Sequence, residues 1–280
     1  MKSYVSNAKI NLGLQVLNER NDGYHNIYSH FIEIDLSDKL FFSKSDKYKL
    51  TAEGLYSKFI PLNNTNLISK AYYLLRQIKP PLNEYSIHLI KNIPIGGGLG
   101  GGSSNAAKTL KVLNQLWNLN LTDGELMSLG KELGADIPFF IKGGFQLVEG
   151  TGDVLKKIKI NFLENLIFVL IVPNLQISTK IAYEEINKTL EDNKSCNKFP
   201  TLSKPMKWEL FDNDFERVIH GTYPEIRQIK VKLKKMGALY SGLSGSGSTV
   251  FGVFNNHFDT QFIYASFSKY KVFITAPVFH

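Results

Sequence analysis

The feature that most constrains the fold of this chain is a run of glycines in its first half. Six of the 22 glycines fall within the seven positions 96–102. A glycine inside a helix or strand loses much backbone entropy and contributes no side chain to packing, so the run predicts a loop. The exposed N–H groups of such a loop can approach an anion closely, which favours a phosphate-binding role.

The residues on either side of the run support this interpretation. Residues 85–90 alternate polar and apolar as a strand does, and residues 105–116 have leucines spaced along one helical face, with Ser103 and Ser104 predicted as caps. A loop between a strand and a helix N-terminus directs amides and the helix dipole at a bound phosphate. The residues predicted to bind the nucleotide phosphates are Pro94, Gly96, Gly97, Gly98, Leu99, Gly100, Gly101, Gly102, Ser103 and Ser104.

Other kinds of glycine-rich segment fit less well. No Lys-Ser or Lys-Thr pair follows the last glycine, so the loop is not a P-loop. A dinucleotide-binding fingerprint requires an acidic residue about 20 positions further on, at the end of a second strand, and that region is predicted to be helical. A flexible linker is the remaining alternative, and it is disfavoured because a capped amphipathic helix follows at once.

Composition limits the class of protein. A chain of 280 residues with 43% hydrophobic and 21% charged residues is typical of a globular protein with one large or two modest domains. The net charge of +8 suits an anionic substrate and is also compatible with weak nucleic-acid affinity. The lysines are spread along the chain, and the cluster at positions 230–235 is predicted to be the solvated face of a helix.

Cellular location is predicted from what the chain contains. The single Cys196 excludes an internal disulfide and fits a reducing cytosol, so we expect a cytoplasmic protein. The sequence begins without a signal peptide and has no apolar run of about 18 residues, so we expect no membrane span.

The first half of the chain is predicted to be rich in strands. Strands are predicted at 7–17, 27–36, 40–43 and 48–52, with a turn at 18–24 and a helix at 66–77. After the glycine loop we predict helices at 105–116 and from the capping box at 122–125 to residue 133, a short helix at Pro138, and a strand at 143–150. Few helices precede the loop, which indicates an α+β fold and not alternating βαβ units.

The second half follows a different order. It is predicted to contain strands at 166–172, 239–243, 249–254 and 271–275, and helices at 178–190, 208–220, 224–236 and 258–268. Residues 191–206 are polar and are interpreted as a surface connection. We therefore predict an N-terminal nucleotide-binding domain over residues 1–160 and a C-terminal domain over residues 161–280.

Three further features each allow two interpretations. Asp136 lies just before Pro138 and is either the cap of a short helix or a functional carboxylate. Lys9 lies on the strand face opposite the apolar residues, which is either solvated or functional. The segment Ser-Gly-Ser-Gly-Ser at 244–248 is either a plain hairpin turn or a second loop that presents amides to an anion.

Five motifs, in order along the chain, resemble a known family. Residues 94–107 are similar to the phosphate-binding motif of the galactokinase, homoserine kinase, mevalonate kinase and phosphomevalonate kinase (GHMP) superfamily, and residues 244–248 resemble its third motif. The glycine loop has two glycines more than the Gly-Leu-Gly-Ser-Ser core common in the superfamily. In this it resembles the branch that acts on 4-diphosphocytidyl-2-C-methyl-D-erythritol, as do residues 8–12, 22–25 and 133–138. The chain departs from that branch at 246–248, where Ser-Gly-Ser replaces the frequent Thr-Gly-Ala.

The resemblance implies a fold and a reaction. The fold is a two-domain α+β GHMP kinase fold, with an N-terminal ribosomal-protein-S5 domain 2-like part, a C-terminal ferredoxin-like part and an active site in the cleft between them. The reaction is ATP-dependent phosphorylation of the substrate's 2-hydroxyl, a step of the non-mevalonate isoprenoid pathway. Mg²⁺ is expected with ATP; its ligands are unassigned, and Ser104 is a candidate by analogy.

The resemblance also implies residue roles. Asp136 is the candidate base and Lys9 its partner. The substrate-binding candidates are Asn11, Tyr24, His25, Thr179 and Tyr183. Tyr24 and Tyr183 are predicted to sandwich the cytosine ring, although helix packing and capping are equally good explanations for Tyr183 and Thr179.

Two other functions are considered. A sister kinase acting on mevalonate, homoserine or a sugar would leave Tyr24 and His25 unexplained, and a non-catalytic nucleotide- or RNA-binding protein would not need Lys9 and Asp136. We expect a small-molecule substrate, no nucleic-acid or membrane partner, and a monomer or weak homodimer.

Overall fold

A computed structural model describes residues 2–158, 163–188, 199–202, 205–256 and 258–280. The chain forms two compact units, each assembled from separate segments. The first unit contains residues 1–8, 36–95 and 100–143, and the second contains residues 9–35, 96–99 and 144–280. The predicted division of the sequence after residue 160 stays a prediction.

Two long strands open the chain and contribute residues to both units. They are β1 (Ser3–Glu19) and β2 (His25–Ser45), and they pair with each other. The predicted turn between them is confirmed, because Arg20 N–H donates to the Tyr24 carbonyl at 2.7 Å and Gly23 has φ +77°.

The first unit packs helices on a sheet. Residues 39–45 of β2 pair with β4 (Glu84–Ile90), and β4 pairs in parallel with β3 (Lys49–Glu53). The helices are α1 (Leu67–Ile78), α2 (Gly101–Leu116), α3 (Asp123–Leu133) and α4 (Ile137–Lys142). One buried apolar cluster joins sheet and helices, with Leu40, Ile87, Tyr72 and Leu110 fully inaccessible to solvent.

The structure corrects two predictions in this region. Residues 27–43 were predicted to form two strands, and they lie in one continuous strand because Asp38, which interrupts the apolar pattern, is buried and fully hydrogen-bonded. Helix α2 begins at Gly101 and not at residue 105, so the four residues before the predicted start are already helical. The capping box at Thr122 and Glu125 is confirmed.

The second unit contains the ferredoxin-like part. Its four-stranded sheet consists of β7 (Leu166–Val172), β8 (Tyr240–Leu243), β9 (Val250–Asn255) and β10 (Lys271–Thr275), in the order β10-β7-β9-β8. The helices are α5 (Thr179–Asn187), α6 (Asp214–Thr222), α7 (Pro224–Lys235) and α8 (Thr260–Ser266). This strand order, with helices between β7 and β8, a β8-β9 hairpin and α8 before β10, is the β-α-β-β-α-β arrangement with additional helices in its first connection, and it confirms the predicted C-terminal fold.

A smaller hairpin belongs to the same unit. Strand β5 (Phe145–Glu149), which confirms the strand predicted at 143–150, pairs with residues 29–32 of β2 and with β6 (Val154–Lys157). Strand β6 was not predicted from the sequence. The predicted helix at 208–220 is instead a 3-10 turn (Trp208–Leu210) followed by α6, because the Asn213 side chain caps a new helix. The predicted end of α5 at residue 190, most of the connection at 191–206, and Cys196 lie outside the described residues. In the described part of the chain, no helix is long and apolar enough to cross a bilayer.

Candidate active site

The glycine loop has the backbone conformation that its composition predicted. Gly96, Gly98 and Gly100 adopt φ values of +70°, +75° and +68°, which residues with a side chain rarely adopt. A Cβ on Gly98 would lie 2.0 Å from the Ser244 carbonyl oxygen, so no larger residue fits there. Residues 96–100 therefore form a structured loop and not a linker, and Gly101 and Gly102 begin α2.

Helix α2 begins directly from this loop. Gly100 is its N-cap residue and provides no side-chain cap, and the Ser104 amide already donates to the Gly100 carbonyl at 2.9 Å. The first-turn amides of Gly101, Gly102 and Ser103 have no carbonyl partner within the helix. A helix of 16 residues with uncapped amides at its N-terminus is suited to bind an anion.

The prediction that Ser103 and Ser104 cap this helix is wrong, because both lie inside its first turn. Ser104 is buried, and its hydroxyl is 2.7 Å from that of Ser6 on β1. The amides of an uncapped first turn can donate hydrogen bonds to a ligand, whereas a capping side chain would already occupy them.

A buried carboxylate holds the chain on both sides of the loop. Asp38 accepts hydrogen bonds from the amides of Asn92 and Ile93 at 2.7 and 2.8 Å, from Lys91 Nζ at 2.7 Å and from Asn105 Nδ2 at 2.9 Å. Asp38 is 0% exposed and Lys91 is 3% exposed. Burial lowers the pKa of Lys91, and the Asp38 charge opposes that shift.

Asp136 occupies the N-cap position of α4. Its side chain does not accept a hydrogen bond from the first turn of that helix. The half-buried carboxylate is therefore not explained by a capping bond, and its functional role stays a prediction.

In the second unit, Lys9 lies inside a hydrogen-bonded chain on β1. Its Nζ donates to Asn11 Oδ1 at 2.6 Å, Asn11 Nδ2 donates to the Ser29 hydroxyl at 3.1 Å, and that hydroxyl donates to the Gly13 carbonyl at 2.6 Å. Lys9 is 3% exposed, and its ammonium lies 4.6 Å from the centre of the Phe31 ring. A solvated strand face is therefore excluded.

The second glycine loop packs against the first. Ser244 Oγ donates to the Gly98 carbonyl at 2.9 Å, and the Thr249 amide donates to the Gly97 carbonyl at 3.3 Å. Asn213 Nδ2 donates to the carbonyls of Leu243 and Gly245, at 2.9 Å each, and so holds the start of the second loop in place. Residues 244–248 are therefore more than a plain hairpin turn.

The residues predicted to bind the pyrimidine are partly brought together. The rings of His25 and Tyr183 are stacked, with centroids 5.1 Å apart and planes 23° apart, and Phe215 meets Tyr183 edge to face. Tyr24 is 67% exposed. The Thr179 hydroxyl lies 2.8 Å from that of Ser246 in the second glycine loop. A cytosine sandwich between Tyr24 and Tyr183 stays a prediction, and His25 already stacks on Tyr183 in this structure.

Comparison with known proteins identifies the family. The family described as GHMP kinases N terminal domain matches residues 66–144, and GHMP kinases C terminal matches residues 190–272. The 4-diphosphocytidyl-2-C-methyl-D-erythritol kinase of Thermodesulfovibrio yellowstonii is 40% identical over 267 residues, covering 91% of this chain and 90% of the relative. That of Azobacteroides pseudotrichonymphae is 42% identical over 253 residues, covering 89% and 91%.

This chain belongs to the 4-diphosphocytidyl-2-C-methyl-D-erythritol kinase family.

Solved structures agree with this assignment. A crystal structure of 4-(cytidine 5'-diphospho)-2C-methyl-D-erythritol kinase superposes with a TM-score of 0.80 at 26% identity, covering 99% of each chain. The mevalonate kinase of Methanococcus jannaschii superposes with a TM-score of 0.71 at 18% identity, covering 99% of this chain and 98% of that one, which shows the shared fold alone. The GHMP kinase fold predicted from the motifs is confirmed, and the chain is a kinase of this family.

Some residues of this 4-diphosphocytidyl-2-C-methyl-D-erythritol kinase family member were missed by sequence reasoning. Asp38, Lys91 and Asn105 surround the loop, and Asn213 holds the second loop. The one signal in the sequence was a charged residue, Asp38, in the middle of an apolar strand. Its partner Lys91 is 53 positions away, so nothing local connects them.

Proposed function

We propose that the protein transfers the γ-phosphoryl group of ATP to the 2-hydroxyl of 4-diphosphocytidyl-2-C-methyl-D-erythritol, in the non-mevalonate (methylerythritol phosphate) route to isoprenoids and terpenoids. The observation that carries this proposal is the 40% identity to kinases of that name over nine-tenths of both chains. The geometry of each unit supports a part of the reaction.

The ATP phosphates are assigned to the glycine loop and the first turn of α2. Phosphoryl transfer depends mainly on positioning and on stabilising negative charge. Backbone amides and a helix N-terminus supply that stabilisation with no mobile side chain. The residues that we assign to ATP are those predicted from the sequence, positions 94 and 96–104.

The acceptor hydroxyl requires a base and a cation. We assign the proton of the 2-hydroxyl to the Asp136 carboxylate, which does not cap its helix. Lys9 supplies a positive charge for the transferred phosphoryl group, and its buried ammonium is held in place by Asn11.

The cytidine end is assigned to residues of the second unit. Tyr24, His25 and Tyr183 offer aromatic surface and a ring nitrogen to the base, and Asn11 and Thr179 offer polar groups to the hydroxyls or phosphates. The Thr179 hydroxyl lies 2.8 Å from Ser246 Oγ, which ties this helix start to the second glycine loop.

Magnesium is expected to enter with the triphosphate. Among the described residues, no group of three or more His, Cys, Asp or Glu side chains is arranged to hold a metal ion. Mg²⁺ that accompanies nucleotides is commonly bound through phosphates, water and one or two protein groups, which this site would allow. The Ser104 hydroxyl is bonded to Ser6, so its role as a ligand stays a proposal. We further expect the enzyme to act in the cytoplasm as a monomer or weak homodimer, without a nucleic-acid partner.

Purified protein should be incubated with ATP, Mg²⁺ and one candidate alcohol at a time, with ADP release followed by a coupled assay. We expect ADP release with the cytidyl substrate and only background release with mevalonate, homoserine or galactose. Activity on one of those alcohols alone would assign a sister kinase, and no activity on any would favour a non-catalytic binding protein.

A further inference from the structure

The imidazole of His25 is held by more than its stacking on Tyr183. Its Nε2 lies 2.5 Å from Asn187 Oδ1, at the last residue of α5. The Asn187 amide nitrogen, Nδ2, donates in turn to Glu19 Oε2 at 2.9 Å, at the end of β1. Glu19, Asn187 and His25 therefore form a relay that runs from an exposed carboxylate to a ring that is 7% exposed.

The chemistry of these three groups fixes the orientation of each one. An ionised carboxylate only accepts hydrogen bonds, so Asn187 must turn its NH₂ group to Glu19 and its carbonyl oxygen to His25. That oxygen also only accepts, so His25 Nε2 must carry a hydrogen. In a neutral imidazole the other nitrogen is then an acceptor, and the tautomer is set by the partner of the first nitrogen.

The second ring nitrogen of His25, Nδ1, is placed to distinguish one pyrimidine base from another. In the described part of the chain, no residue is bonded to His25 Nδ1, so its lone pair is available to a ligand. Cytosine carries an NH₂ donor at position 4, whereas thymine, and uracil like it, carries a carbonyl acceptor there. If His25 Nδ1 is fixed as an acceptor, it can accept a hydrogen bond from the 4-amino group of cytosine but is repelled by the 4-carbonyl oxygen of uracil.

We propose that Glu19 and Asn187 are specificity-determining positioning residues, which hold His25 in the Nε2–H tautomer so that Nδ1 accepts from the 4-amino group of cytosine and rejects uracil. This inference rests on the proposed function, since it concerns the base of that substrate. The stacking of His25 on Tyr183 fixes the ring plane, and the relay fixes which ring edge accepts.

A single charge reversal tests the relay. In Glu19→Lys the new ammonium is a donor, so Asn187 should turn its oxygen to position 19 and its NH₂ group to His25. Nε2 then becomes the acceptor and Nδ1 carries the hydrogen, which favours the uracil carbonyl. Glu19→Asp is the conservative control, because a carboxylate can only accept from Asn187.

The charge change itself needs a separate control, since the substrate is anionic. Glu184→Lys alters an exposed residue of α5 that pairs with Lys180 at 3.9 Å, and it adds the same charge outside the relay. Both lysine variants should strengthen binding of cytidyl and uridyl substrates alike, so the ratio of their kcat/KM values isolates base selection.

The measurements are that ratio and the ¹⁵N chemical shifts of the His25 ring. We expect Glu19→Lys to lower the preference for the cytidyl substrate over its uridyl analogue by about 10- to 100-fold, the discrimination of one good base-edge contact. The unprotonated ¹⁵N signal should move from Nδ1 to Nε2 in that variant alone. Glu19→Asp and Glu184→Lys should keep both the preference and the shifts of the unmodified protein.

The possible outcomes separate the inference from the proposed function. An unchanged preference or an unchanged tautomer in Glu19→Lys overturns the relay, while activity on the cytidyl substrate still supports the kinase. A protein that phosphorylates neither substrate overturns the proposed function and with it the assignment of cytosine. Because Glu19 is exposed, the far-ultraviolet circular dichroism of Glu19→Lys should match that of the unmodified protein.

Discussion

Lys9 and Asp136 show how burial and bonding distinguish a functional side chain from a surface one. Lys9 is 3% exposed and its ammonium bonds to Asn11, although a lysine on a strand is usually solvated. Burying an ammonium is costly unless other groups stabilise it. Asp136 stands at a helix start without capping it. At this scale, a solvated surface position does not explain Lys9 and a capping bond does not explain Asp136, and their catalytic roles stay predictions.

The first prediction concerns the proposed base. Asp136→Asn keeps the shape of the side chain and removes its ability to accept a proton. We expect turnover to fall by roughly 10²-fold or more, since general-base catalysis contributes about that much. The dissociation constant for ATP, measured by calorimetry, should change little. Near-normal turnover would reduce Asp136 to a residue at a helix start.

The second prediction concerns Tyr183. Tyr183→Ala removes one of the two rings predicted to sandwich the cytosine, so the KM for the cytidyl substrate should rise by roughly 5- to 150-fold, as expected for one lost base-aromatic stack. The KM for ATP should stay nearly constant, and Tyr183→Phe should be almost silent in steady-state kinetics. Equal weakening of both substrates, or unfolding of the variant, would make Tyr183 a core residue.

At the scale of elements, both glycine loops are held by buried polar side chains. Asp38 bonds to the strand end before the first loop and to Asn105 in the helix after it. Asn213 donates to the carbonyl of Leu243, the last residue of β8, and to that of Gly245 in the second loop. Because Asp38 bonds to the backbone beside the first loop, that loop is held without occupying the first-turn amides of α2, which can bind a ligand.

The third prediction tests the first loop. Gly100→Val places a β-branched residue at φ +68°, where L-residues are strained. We expect ATP affinity, measured by calorimetry, to fall strongly while the fold survives. Gly221→Val is a matched control, because a Cβ there meets nothing within 4 Å and the backbone is ordinary. Unchanged ATP affinity in Gly100→Val would contradict a phosphate-binding loop.

The fourth prediction tests the support of that loop. Asp38→Asn leaves the buried Lys91 ammonium without its counter-charge, so the free energy of unfolding in urea should fall by about 3–5 kcal/mol. As a control, the same substitution at the exposed Asp123, Asp123→Asn, should lower the free energy of unfolding by much less. Adding Lys91→Met to Asp38→Asn should recover part of the loss, since no uncompensated charge is then buried. A loss as small as that of Asp123→Asn would show that the carboxylate charge contributes little.

At the scale of the whole molecule, a buried histidine is expected to limit acid stability. His30 is 2% exposed and is surrounded by the rings of Phe145, Phe199 and Phe211. Burial lowers its pKa from 6.5 to about 4. Between these values the unfolded chain binds a proton that the folded chain does not, so stability is complete above the upper value and falls as the pH decreases towards the lower one.

The fifth prediction follows from this difference. His30 alone should remove about 3 kcal/mol of the free energy of unfolding between pH 7 and pH 4. His30→Phe should therefore show a smaller loss over this range, with the difference measured by urea titrations at both pH values. Parallel pH profiles for the two proteins would mean that His30 titrates normally in the fold.

Local patterns determined much of this protein before its structure was known. Residues 96–100 of the glycine run form a loop as predicted, whereas Gly101 and Gly102 already lie in α2. The Asp-Gly turn and the capping box at Thr122 appear where predicted, and the strands of the second half occur in the predicted order. Backbone entropy, side-chain periodicity and capping act over a few residues, so a sequence alone can reveal them. The motifs in their order were sufficient to predict the family.

The tertiary structure decided which polar residues lie together. Asp38 and Lys91 are 53 positions apart, His25 and Asn187 are 162 apart, and Glu19 and Asn187 are 168 apart. No local pattern joins such residues, because they meet only when separate strands and helices pack and exclude water. Asp38, Lys91 and the His25 ring are 0%, 3% and 7% exposed, and burial strengthens the hydrogen bonds and charges of these groups. The support of the loop and the setting of His25 therefore emerged only from the folded chain.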